Sequence, residues 1–197
     1  GTDYLPAPDV FLKAEAPGLN IWVTNKGLTY QFFKRSDQLS VVSRQSLPDN
    51  ANELSWNRVD IILKGASIKK ENIIKNGDIT QGSTSYYLGH CPQGIFDVKT
   101  FTNITIKEVY PGIDWVLYTS KSGGIKYDFV VHPGADPSQV KLIYEGSGNI
   151  EVGANSIHFK NELGNITEGI LLCYQGNEDH VVKSEYKATK NELLTFM

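Results

Sequence analysis

The sequence predicts an all-β fold: an antiparallel β-sandwich, or two packed β lobes, with at most short helical turns. Three observations predict it. Strand-length runs rich in β-branched and aromatic residues follow one another at close spacing, the segments between them are rich in Gly, Asn and Pro, and no helical apolar period of useful length appears.

Residues 1–18 hold Pro6, Pro8 and Pro17 and few periodic apolar positions, so an irregular leading segment is expected there. Residues 19–197 are expected to form a single β-sandwich-type domain, any internal division falling near residues 90–100. The run from Ile21 to Phe33 is interrupted by Asn25-Lys26-Gly27, a hairpin signature with Gly at a left-handed position. Gln38 to Arg44 alternates as a further strand, and the polar residues 45–53 read as a loop. Trp56 to Gly65 alternates at first and then turns continuously apolar, as a strand entering a core does. Weak strand signals lie at Ile73-Ile74 and Asp78-Ile79, and Ser85 to Gly89 is another short strand.

Cys91-Pro92-Gln93-Gly94 is expected to break the pattern, which resumes from Phe101 to Tyr110. Next comes the best-patterned pair in the chain, a hairpin whose strands end at Tyr118 and begin again at Gly124, fed by a Pro111-Gly112 corner. After it, Asp136 is placed to cap a short helical turn with Pro137 at its first position. Val140 to Tyr144 returns to strand, followed by a meander of runs: Asn149 to Val152, Ser156 to Phe159, Ile166 to Gln175, Val181 to Thr189 and Leu193 to Phe196.

Composition narrows the function classes. A net charge of -3 with scattered basic residues gives no footprint for nucleic acid. No apolar run approaches the ~20 residues of a spanning helix, so no membrane insertion is expected. Cys91 and Cys173 are too few and too far apart for sequence to say whether they pair, and two buried or half-buried thiols are the default. No signal-peptide pattern is present, and the chain is expected to be a segment of a longer protein.

Candidate chemistry is sparse. Asp114 and Asp128 lie on the two strands of the central hairpin, where they could share a site or each accept backbone and hydroxyl hydrogen bonds. His90, His132, His158 and His180 make no pair at zinc spacing, so no metal and no cofactor are expected. Neither a nucleophile elbow nor a phosphate-binding glycine loop occurs. Asn103-Ile104-Thr105 and Asn165-Ile166-Thr167 match the glycosylation acceptor pattern, which matters only in a eukaryotic secretory host. Trp22, Tyr30, Tyr86, Tyr87, Trp115 and Tyr118 are candidates for a sugar-stacking platform, against the alternative that they fill the core and its rims.

Three blocks resemble a family signature: Tyr110-Pro111-Gly112-Ile113-Asp114, then Gly124 to Val131 with Tyr127 and Asp128, then Pro133-Gly134-Ala135-Asp136-Pro137-Ser138. Val59 to Ala66 and Tyr86-Tyr87-Leu88-Gly89 are similar to two further blocks. The family is a β-rich domain near the N-terminus of large secreted and surface proteins of Bacteroidota and other bacteria. It often precedes β-propeller-type repeats, adhesion-type sandwich domains or gliding-motility-associated segments. Lys126 stands where that family usually has an acid, and Ser85 where it has Asn.

The resemblance implies an exported, surface-associated module with no enzymatic activity, whose partners are other domains of a longer parent protein. A structural or adhesion role is therefore expected, with glycan or a surface protein as ligand. Carbohydrate binding through exposed aromatics is the alternative, and a hydrolase using Asp114 and Asp128 is a third reading.

Overall fold

The computed structural model describes residues 8–35, 54–78, 84–88, 91–119, 125–146, 148–153, 156–176, 180–189 and 192–195. Gln38 to Arg44, the loop at 45–53 and the tip of the central hairpin lie outside the described residues.

The chain is an all-β, antiparallel β-sandwich. Strands β1 (Val10–Ala16), β2 (Leu19–Thr24), β3 (Gly27–Arg35) and β4 (Leu54–Leu63) pair in sequence order as an antiparallel meander. Strand β1 falls inside the segment expected to be irregular. Its prolines misled, because Pro17 does not break a strand. With Gly18 at φ +71 it forms the tight turn that joins Ala16 to Leu19.

A second sheet is built by β5 (Ile73–Asp78) with the later strands β8 (Phe101–Tyr110), β9 (Ile113–Thr119) and β10 (Ile125–Val131), in the order β10-β9-β8-β5. Between β5 and β8 lies a two-stranded ribbon of β6 (Thr84–Leu88) and β7 (Cys91–Val98). Strand β7 runs through the expected break at Cys91-Pro92-Gln93-Gly94. A two-stranded ribbon tolerates a proline, and here the register slips twice, with Gly94 at φ +75 and Asp97 at φ +57.

Asp136 caps a 3-10 turn at Pro137–Gln139, its carboxylate accepting from the Ser138 N–H at 2.9 Å and the Ser138 hydroxyl at 2.8 Å. Strand β11 (Lys141–Gly146) then returns to the first sheet beside β4. A three-stranded sheet follows, made of β12 (Asn149–Val152), β13 (Ile157–Lys160) and β14 (Asn165–Glu168).

The long runs expected at Ile166 to Gln175 and Val181 to Thr189 are each split. The first gives β14 and β15 (Cys173–Tyr174), the second β16 (Val181–Val182), which pairs with β15, and β17 (Tyr186–Thr189); β18 (Glu192–Thr195) falls on the run expected at Leu193 to Phe196 and with β17 completes the seven-stranded order β1-β2-β3-β4-β11-β18-β17. Residues 169–172 leave the ladder because side chains take over its role: Tyr186 OH donates to the Gly169 carbonyl at 3.2 Å and Ser184 OH to that of Leu171 at 3.4 Å. Cys173 carries a free, half-buried thiol.

The core lies between the two large sheets. Ile21, Val23, Leu28, Tyr30, Val59 and Ile61 of the first meet Ile104, Ile106, Trp115 and Leu117 of the second in one buried cluster, which Ile157, Phe159 and Ile166 join from the three-stranded sheet. These are alternate positions on each strand, as a strand buried on one face requires. Among the described residues no helix is long and apolar enough to cross a membrane.

Candidate functional site

The first and third signature blocks meet at one corner of the second sheet. Between the pairs Ile106↔Trp115 and Tyr110↔Ile113, β8 advances four positions where β9 advances two. The excess bulges out and leaves Glu108 at φ +53. Pro111-Gly112 is therefore the hairpin turn between β8 and β9, not merely a corner feeding β9. Gly112 sits at φ +69, and a Cβ there would lie 2.8 Å from that of Ala135.

Asp114 is the centre of this corner. It is 2 % exposed, and its carboxylate accepts from Lys107 Nζ at 2.7 Å, from the Glu108 backbone N–H at 2.9 Å and from His132 Nε2 at 2.8 Å. Burial alone would raise its pKa. The hydrogen bonds from Lys107, Glu108 and His132, with the Lys107 charge, outweigh burial and hold it below the ordinary carboxylate value. Further hydrogen bonds close the corner. The Gly112 N–H donates to Glu108 Oε2 at 3.0 Å, the His132 N–H to the Gly112 carbonyl at 2.9 Å, and Gln139 Nε2 to the Asp136 carbonyl at 3.0 Å. Pro133-Gly134 makes the turn that brings Ala135 against Gly112. Buried Tyr110 ties the corner to the first sheet, its hydroxyl donating to the Lys64 carbonyl at 3.2 Å. Burial pushes its pKa up to about 12.

Asp128 is separate from this arrangement. It pairs across the ladder with Val116, and Asp114 with Val130, so the two carboxylates are diagonal neighbours on the outward face. Their backbones are roughly 7–8 Å apart by ladder geometry. Asp114 is buried under Lys107 and His132, while Asp128 is exposed and accepts from the Tyr118 hydroxyl at 3.3 Å. No group of three or more His, Cys, Asp or Glu suited to a metal occurs among the described residues.

Among the described residues, Trp22, Tyr30, Trp115 and Tyr118 do not share one platform. Trp115 is 0 % exposed, stacked on Phe129 at 6.3 Å and met edge-on by Tyr127 at 6.1 Å, so it is a core residue. Its strand alternation explains this: Trp115 shares the inward face with Ile113 and Leu117. Tyr118 is half-buried on the outward face of the second sheet, and Tyr30 is buried. Trp22 is half-buried on the outer face of the first sheet, with Lys13 Nζ 4.8 Å above its ring. The side chains of Tyr86 and Tyr87 lie outside the described residues.

The outer face of the first sheet carries a site that the sequence reading did not single out. Asn20 pairs with Gln31, and Phe33 with Trp56, so all four point the same way. With Leu54 they line a shallow cleft of about 330 Å³. Trp56 is 59 % exposed at its edge, and Asn20 Nδ2 donates to Gln31 Oε1 at 3.3 Å on its floor. Farther along the same face Asp60 accepts from Thr29 Oγ1 and pairs with Arg58 at 2.9 Å. The signal was present in the sequence. Once Val59, Ile61 and Leu63 are assigned to the core, period-two alternation sends Leu54, Trp56 and Arg58 outward.

Over residues 5–197 the chain matches the family model described as Domain of unknown function (DUF7948), and it belongs to that family. No curated protein and no solved structure matches it.

Proposed function

We propose that this member of the DUF7948 family is a non-enzymatic, exported β-sandwich module with a structural or adhesion role in a larger envelope protein. The observation that carries the reading is the state of Asp114. It is the buried carboxylate of the hairpin, and its lone pairs are committed to Lys107, the Glu108 N–H and His132. A carboxylate held ionised beneath such donors braces a turn and is poorly placed to take a substrate proton. Asp114 and Gly112 belong to the first of the blocks that resemble those of secreted surface proteins, and Ala135, packed against Gly112, belongs to the third, which agrees with a scaffold role for those blocks. Protease treatment of intact cells expressing the parent protein tests the location: the domain should be cleaved from outside, and full protection would contradict the reading.

Carbohydrate binding is the second reading, and the cleft at Trp56 favours it. An exposed indole offers an apolar face for the C–H side of a sugar ring, and the neighbouring amides of Asn20 and Gln31 offer donors and acceptors for its hydroxyls. A glycan array probed with the wild-type chain and with Trp56→Ala tests it. Binding lost in the variant supports the reading, and an array with no wild-type signal removes it.

A further inference from the structure

One carboxylate enters neither reading. Glu168, the last residue of β14, meets hydroxyls and no cation among the described residues: that of Tyr144 on β11 donates to it at 3.2 Å, and Tyr127 on β10 lies beside it. Tyr186 on β17 flanks it, its hydroxyl donating to the carbonyl of the next residue, Gly169, at 3.2 Å, and the Glu168 charge also bears on buried Tyr30 of β3. The acid therefore sits where all three sheets meet. At the other end of β14 the three-stranded sheet is pressed tightly onto the first one, because a Cβ at Gly164 would lie 2.5 Å from the Phe32 ring.

We propose that Glu168 is a proton-operated latch: when neutral it seals the three-stranded sheet against the two large sheets, and when ionised it loosens that junction. A carboxylate in this setting has tyrosine hydroxyls beside it but, among the described residues, no compensating charge, so its ionised form is poorly solvated. Burial raises its pKa, and the hydrogen bonds from Tyr127 and Tyr144 only partly offset the rise. The four tyrosines are all shifted upward, chiefly by burial, and stay neutral across the acid and neutral range. Glu168 is thus the group in the cluster that titrates there. In the opened junction it returns to an ordinary carboxyl, which binds its proton less tightly. The closed state holds the extra proton, so its advantage is complete below the ordinary value of 4.5 and is lost as pH rises through the raised one.

Hydrogen exchange of the full chain as a function of pH, corrected for the intrinsic rate, reads this directly. In the wild type, amides of β12, β13 and β14 should open more readily as pH rises, by up to about tenfold per pH unit within the titration window. In Glu168→Gln that dependence should vanish while the sheet stays formed. A wild type without the dependence, or a variant that keeps it, overturns the proposal. A carboxyl titration of Glu168 in the wild type by carbon NMR serves if the variant does not fold. A midpoint above that of a free glutamate, with β14 shifts moving in step, supports the latch, and a midpoint at or below it overturns the latch.

Discussion

The backbone N–H of Glu108 donates to the Asp114 carboxylate across 2.9 Å, and it does so from a left-handed conformation at φ +53. A non-glycine residue in that region costs roughly 1–2 kcal/mol, so the bulge persists because its surroundings hold it. Asp114 grips the Glu108 backbone from one side, and the Gly112 N–H grips its side chain from the other.

Acid sensitivity follows from Asp114. Its pKa is held below 3.8, so its stabilising contribution is present above that unfolded value and is lost as pH falls through the lower folded value. Thermal unfolding of the wild type should weaken progressively below about pH 4, and Asp114→Asn should show a shallower acid limb. Parallel acid limbs in the two proteins would count against the role given to this carboxylate.

Gly112 and Gly134 separate backbone strain from crowding. Both have positive φ, but a Cβ at Gly134 meets nothing within 4 Å, while one at Gly112 meets that of Ala135 at 2.8 Å. Gly134→Ala should cost about 1 kcal/mol from conformation alone. Gly112→Ala should cost about 1–3 kcal/mol more, because the turn and the Ala135 segment cannot both keep their places. Denaturant midpoints decide this, and equal losses would mean that the contact is not tight.

Gly164 tests the seat of the three-stranded sheet. Phe32 is 5 % exposed and has no room to swing away, so Gly164→Ala should destabilise the chain by about 1–3 kcal/mol. Faster amide exchange should concentrate in β13 and β14. Unchanged exchange there would show that the ring relaxes without effort.

The meander, the hairpin at Asn25-Lys26-Gly27 and the capped turn at Asp136-Pro137 were legible in the sequence because each depends on local periodicity or turn chemistry. Strand β1 was not, since Pro17 reads as a breaker until its turn is known to join two strands. The role of Asp114 was half legible. Its place on the hairpin was clear, and Lys107 faces it across the ladder, but the Glu108 N–H reaches it only through a bulge, which no period reveals. Trp56 and Trp115 look alike in sequence, each in an aromatic and β-branched run, and only the strand phase sends one outward and the other into the core. The Glu168 cluster draws its tyrosines from four separate strands, so no local window contained it.

If Asp114 and the groups that hold it brace the turn between β8 and β9, replacing the carboxylate should weaken the whole fold. The decisive measurement is the equilibrium unfolding midpoint at neutral pH of Asp114→Asn, beside wild type and Trp56→Ala. Asp114→Asn should lose about 1–3 kcal/mol, as expected when charge-assisted hydrogen bonds to a buried carboxylate are weakened. Trp56→Ala should stay within about 0.5 kcal/mol of wild type, as an exposed side chain does. An Asp114→Asn variant as stable as the wild type would contradict the account.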